Sequence, residues 1–145
     1  MSFEKLETVK GTVSKLAGSV SYRRIRYKHD EPGDALKRLP RLVIGIPKLI
    51  WSSAPDAVGQ AFSFHIGRGD DAGRGRLIPD PDGIKARVVR GGATFMIGHV
   101  PAFGTDAAEK EFVTITVIPA VAASKGRAAA PLCFEISLPA WCKEV

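Results

Sequence analysis

Short runs in which apolar and polar residues alternate, each closed by a turn former, make up most of this chain. Residues 41–50 (RLVIGIPKLI) set the pattern: an alternating run ends at Ile46-Pro47 and a turn follows. The outline returns in residues 93–103 (ATFMIGHVPAF), with Val100-Pro101 in place of Ile46-Pro47. Each copy leads through a polar connection into a Phe-led apolar run, AFSFHI at 61–66 and EFVTITV at 111–117. Each then reaches a run that stops at Pro, RLIP at 76–79 and CFEISLP at 133–139. A period of two, rich in β-branched and aromatic residues, marks half-buried strands. Residues 84–90 (IKARVVR) also alternate and predict a strand with a basic face, broken by Gly91-Gly92.

Helical spacing occurs near the start. Phe3, Leu6, Val9, Val13 and Leu16 lie three or four apart and predict a helix over 2–17, capped by Ser2 and ended by Gly18. A hairpin at Lys10-Gly11 competes with it. Val20, Tyr22, Ile25 and Tyr27 then interleave with Arg23, Arg24, Arg26 and Lys28, which predicts a strand. Residues 29–34 (HDEPGD) are a turn by composition, 35–39 a loop or single helical turn, and 48–51 a short helical turn. Residues 67–76 (GRGDDAGRGR) form a hairpin tip. Residues 120–131 read as a long, mobile Ala-rich loop, and Trp141 as a side chain docking on the core as a lid.

Matching Pro47 to Pro101 gives a repeat offset of 101 − 47 = 54 residues. The turn at 80–83 (DPDG) separates the copies. The chain therefore divides into a helix and basic strand (1–40), a first β unit (41–83) and a second (84–145). Neither unit is large enough to bury both faces of its strands alone, so the expected result is one compact domain. The fold class expected is mainly β: short antiparallel strands in a barrel or sandwich built from two related units, with an N-terminal helix.

Composition narrows the function. Of 145 residues, 45% are hydrophobic and 25% charged, which allows a real core; 15 Gly and 10 Pro suit many turns. Net charge is +6, which favours polyanionic partners, nucleic acid first. Two cysteines, Cys133 and Cys142, are too few for a disulfide framework and point to free thiols, Cys133 in the core and Cys142 more exposed. The first residues, MSFEKLETVK, carry no apolar h-region, and the run 113–123 is too short and too broken to span a bilayer. A cytoplasmic protein without membrane contact is expected.

The two units resemble the AbrB/MazE-like swapped-hairpin family. In the first, residues 42–47, 48–51, 59–62 and 77–79 follow that family's order; in the second, 96–101, 112–117 and 134–139 do. The chain departs from the pattern at Gln60, which stands where Asp is usual, and at 109–111, where no Gly marks the turn. The resemblance implies a DNA-binding barrel, here a pseudo-dimer within one chain, and a transcriptional regulator. It places DNA-facing charge at Arg41 and Lys48, with no basic counterpart around Ala93 and Ala102.

Candidate chemistry is basic. Arg23, Arg24, Arg26 and Lys28, interleaved with Tyr22 and Tyr27, suit phosphate neutralisation and base stacking; a solvated edge strand weighs equally. Arg68, Arg74 and Arg76 at the Gly-rich tip form the second candidate, although Asp70 and Asp71 oppose an anion there. Lys85, Arg87 and Arg90 give a third basic strip that could extend a nucleic-acid face but is assigned to solvent. His29, His65 and His99 lack metal-ligand spacing, and no nucleophile–base signature occurs, so neither cofactor nor enzymatic activity is expected. DNA, with RNA as a variant, is the expected partner. A non-enzymatic structural or assembly protein forming a homo-oligomer is the alternative, and a small-ligand barrel the third.

Overall fold

The structure is a computed structural model that describes Phe3 and residues 17–142. The predicted helix over 2–17 falls largely outside the described residues. Gly18, expected to end it, is instead a strand residue. It lies in β1 (Ala17–Arg23), opposite Val113, and a Cβ there would collide with the Ile115 side chain and the Gly45 carbonyl. Only hydrogen fits at that approach.

Eight further strands follow: β2 (Arg41–Ile46), β3 (Ala61–Ile66), β4 (Arg74–Pro79), β5 (Ile84–Lys85), β6 (Arg87–Val89), β7 (Gly92–Gly98), β8 (Ala108–Ile118) and β9 (Cys133–Ser137). A short helix, α1 (Lys48–Ser52), starts right after Pro47, as expected from an imino acid that closes a strand. The structure is mainly β, and every strand pairing is antiparallel. The order β5-β3-β4-β9-β8-β1-β2-β7-β6 makes a nearly closed, barrel-like sheet.

Two segments turn the corners of this sheet. β8 pairs with β1 through its first half and with β9 through its second. The predicted strand at 84–90 is split at Ala86: β5 pairs with β3, while β6 pairs with β7. Read as a ring, the order is β1-β2-β7-β6/β5-β3-β4-β9-β8. Exchanging β1 with β5–β6, β2 with β7, β3 with β8 and β4 with β9 returns the same ring in the opposite sense. The β6–β7 turn, Arg90-Gly91, has both residues at positive φ (52° and 83°), the two-residue geometry whose twist matches the flanking strands.

Alternation decides what faces inward. Val20, Tyr22, Leu42, Ile44, Ile46, Leu77 and Ile136 fill the interior with little or no exposure. At its centre four aromatic rings close a cycle: Trp51 on Phe95, Phe95 on Phe62, Phe62 on Phe134 and Phe134 on Trp51, with centroids 5.5–6.1 Å apart. The two Phe-led runs are not equivalent in facing. Phe62 is fully buried, whereas Phe112 points outward beside Ser19, and Val113 takes the inward place. The pairing of β8 with β1 sets that facing, because a one-residue slip turns a side chain over.

A second ring cluster sits where β1 and β7 end. Tyr22 meets Phe103 and Trp141, so Trp141 docks as its position suggested. The Tyr22 hydroxyl donates to the Gly104 carbonyl (2.8 Å) and lies near that of Val100 (3.1 Å). His99 Nδ1 is 3.0 Å from the Pro40 carbonyl, which can only accept, so the proton sits on Nδ1 and the Tyr22 oxygen, 2.9 Å away, also accepts it. Burial raises the Tyr22 pKa, partly offset by its bond to Val100, so the hydroxyl keeps its proton.

Residues 24–28 do not continue β1 as predicted. Side-chain-to-backbone bonds tie this segment to residue 38 instead: Arg24 Nε donates to the Arg38 carbonyl (3.1 Å), and the Arg38 guanidinium to the Ile25 carbonyl (3.0 Å). Residues 120–131 form a hairpin excursion closed by paired bonds between Val121 and Ala130 (2.8 and 2.9 Å). No helix among the described residues is long and apolar enough to cross a membrane.

Phe134→Ala opens the ring cycle at a site without solvent access. It is expected to lower unfolding free energy by about 3–5 kcal/mol in chemical denaturation, while Leu36→Ala, on the surface, changes it by less than about 0.5 kcal/mol.

Candidate functional site

Arg23 ends β1 and Arg41 begins β2, and the two pair directly. Tyr22 and Leu42 beside them point inward, so both arginines face out. Like charges opposite one another cost stability, which a packing role does not explain. On the next strands, Met96 pairs with Val43 and Arg87 with Thr94, again on the outer face. The chain leaving β1 joins this corner. Arg23, Arg24, Ile25, Arg26, Arg87 and Met96 line one open cleft of about 590 Å³. Four of its six lining residues are arginines and none is acidic. Arg41 stands alongside, its guanidinium 3.7 Å from the Met96 sulfur.

The arginines are not alike. Arg24 is a clamp, donating to the Arg38 carbonyl and to that of Thr105 (2.8 Å). Arg23, Arg26 and Arg87 are exposed, with no carboxylate partner among the described residues. Such side chains are available to an anion.

The cleft wall is held from behind. Asp30 accepts two bonds from Arg38, both 2.6 Å, and one from the Tyr27 amide at 2.7 Å. The Arg38 guanidinium, and next the Tyr27 amide, hold the Asp30 carboxyl down at about 2. Arg38 also lies over the Tyr27 ring, 4.5 Å from its centroid.

The remaining predicted residues are dispersed. Lys28 is exposed one residue past Tyr27. Lys48 opens α1, its stem close to Gly91. Arg68, Arg74 and Arg76 belong to the β3–β4 hairpin, away from the cleft. Arg74 pairs with Glu135 (3.5 Å) and Asp71 (3.9 Å), and Arg76 with Glu135 (3.7 Å), so their charge is partly neutralised. Tyr22, suggested for stacking, is buried in the core. Arg87, assigned to solvent from sequence, is the residue missed. Only the β6–β7 pairing brings it to the others, and since all three residues of β6 are exposed, no local pattern marks it.

Two of the histidines are engaged by neighbouring groups of the fold. His65 is 2.8 Å from the Ser63 hydroxyl, and His99 binds Tyr22 and Pro40. Among the described residues no group of three His, Cys, Asp or Glu side chains could hold a metal ion. Cys142, expected to be the more exposed, is buried, as is Cys133. Burial pushes the Cys142 thiol up to about 12 and raises that of Cys133 too, so neither is poised as a nucleophile. No protein-family model, curated protein or solved structure matches the chain.

The folded chain holds Asp30 more acidic than its ordinary value of 3.8, so the unfolded chain takes up the proton first. The contribution of this carboxyl is intact above 3.8 and is lost as pH falls through about 2. An NMR titration of the Tyr27 amide is expected to show a midpoint near 2, returning toward 3.8 in Arg38→Ala.

Proposed function

We propose that this chain binds nucleic acid, with the arginine cleft at the β1–β2–β7–β6 corner holding backbone phosphates. One observation carries the reading: Arg23, Arg26 and Arg87 converge on a single recess without a carboxylate in its lining. Guanidinium forks match phosphate geometry, and neutralising phosphates releases counterions. The net charge of +6 adds long-range attraction.

The strand order supports the further proposal of two related units. β1 pairs with β2 of its own half and β8 of the other, while β5–β6 pair with β7 and with β3 of the other half. Interleaving of this kind is what a swapped-hairpin barrel of the AbrB/MazE type would give if fused into one chain. A DNA-binding regulator, rather than an enzyme, is the corresponding role. Two free thiols suit a reducing, cytoplasmic location.

Binding of a labelled DNA duplex and of a single strand, followed by anisotropy, is expected to weaken steeply with salt. Arg23→Ala, Arg26→Ala and Arg87→Ala should each reduce the log–log salt slope by about 1, and Arg74→Ala by much less. Absence of affinity for either probe at low salt removes the reading.

A second reading, an oligomeric structural protein, has its own support. Phe112 (51% exposed) and Val89 (48%) flank a shallow depression of about 310 Å³ on the outer face, floored by Ser19, Gly45 and Thr94. The occupant on this reading is a second copy of the chain. Light scattering should then show a dimer that Phe112→Glu returns to monomer; a monomer at every concentration rules it out.

A further inference from the structure

We infer, resting on the nucleic-acid reading above, that the cleft takes a single strand rather than a duplex, with Tyr27 as the platform for an unpaired base. Tyr27 follows Arg26 directly, so the ring stands one residue beyond the cleft wall. It is 54% exposed, and Arg38 lies over it at 4.5 Å. A ring covered by a cation on one side and open elsewhere is a stacking surface.

The platform is built before any ligand arrives. The Tyr27 amide is bonded to Asp30, Asp30 to Arg38 through two bonds, and Arg38 to the Ile25 carbonyl. Both faces of the constellation, the ring and the guanidinium, are thereby fixed relative to the arginines at 23 and 26. Ordering costs on binding are correspondingly small.

Shape favours a strand. Duplex DNA is read by an element that protrudes into a major groove about 12 Å wide, and the faces of its bases are stacked on one another and closed to a protein ring. Here the arginines line a recess floored by Ile25 and Met96. Three residues separate Arg23 from Tyr27, so the two lie at most about 13 Å apart, four steps of about 3.3 Å, a span on which a flexible strand can set a phosphate at one end and a base at the other. Stacking on an aromatic ring needs no particular base, so binding is expected to be tolerant of sequence.

The test is anisotropy at fixed low salt with labelled oligothymidine, oligouridine, an abasic strand of equal length and a duplex. Single strands should bind more tightly than the duplex. Tyr27→Ala should weaken base-bearing strands on the order of tenfold and leave the abasic strand unchanged, because stacking contributes about that much per base. Tyr27→Phe, which keeps the ring, should bind as the unmodified protein does, and a thermal melt shows whether Tyr27→Ala remains folded. Equal or tighter binding of the duplex, or equal loss on the abasic strand, overturns the single-strand assignment while phosphate binding stands. No affinity for any probe overturns both.

Discussion

The closed cycle of Trp51, Phe95, Phe62 and Phe134 holds the two sides of the sheet together. Each ring comes from a different element: α1, β7, β3 and β9. Such ring pairs contribute about 0.5–1.5 kcal/mol each beyond the apolar area they bury. Geometry matters as much as area. Trp51 reaches the cycle because Pro47 ends β2 and α1 begins at once, aiming the indole back over the strands. Shortening that connection would withdraw one ring from two partners.

From this interior the arginine corner follows by alternation. Tyr22 must face inward to reach Gly104 and His99, and that places Arg23 outward. Leu42 inward does the same for Arg41. The segment after β1 then leaves the sheet, and Asp30 and Arg38 supply the partners that a neighbouring strand would otherwise provide. Irregular backbone is thus held firmly at the point where the arginines gather, the usual requirement for a site made from a loop.

Much of the strand plan was legible in the sequence, since a period of two survives at 41–46, 61–66, 93–98 and 133–137. The turn at Pro47 was legible because Pro both ends a strand and starts a helix. Three things were not. The facing of Phe112 depends on its register against β1, which local pattern does not contain. The division at Ala86 depends on which strands lie on either side. Arg87 joins Arg23 through β6–β7 and β2–β7 pairing, more than sixty positions apart along the chain. Composition located the positive charge, but pairing alone separates the cleft arginines from Arg74 and Arg76, which Glu135 engages.

The interleaved strand order has a consequence for divergence. Where two identical chains must close a barrel together, every change appears twice, and dilution separates the partners. On the proposed duplication, a covalent tether removes both constraints. One half can then carry most of the rim cations, as Arg23, Arg26 and Arg41 do beside Arg87 of the other, while the sister half lengthens its last hairpin through residues 119–132. Such lopsidedness is open to a tethered pair and closed to a symmetric one.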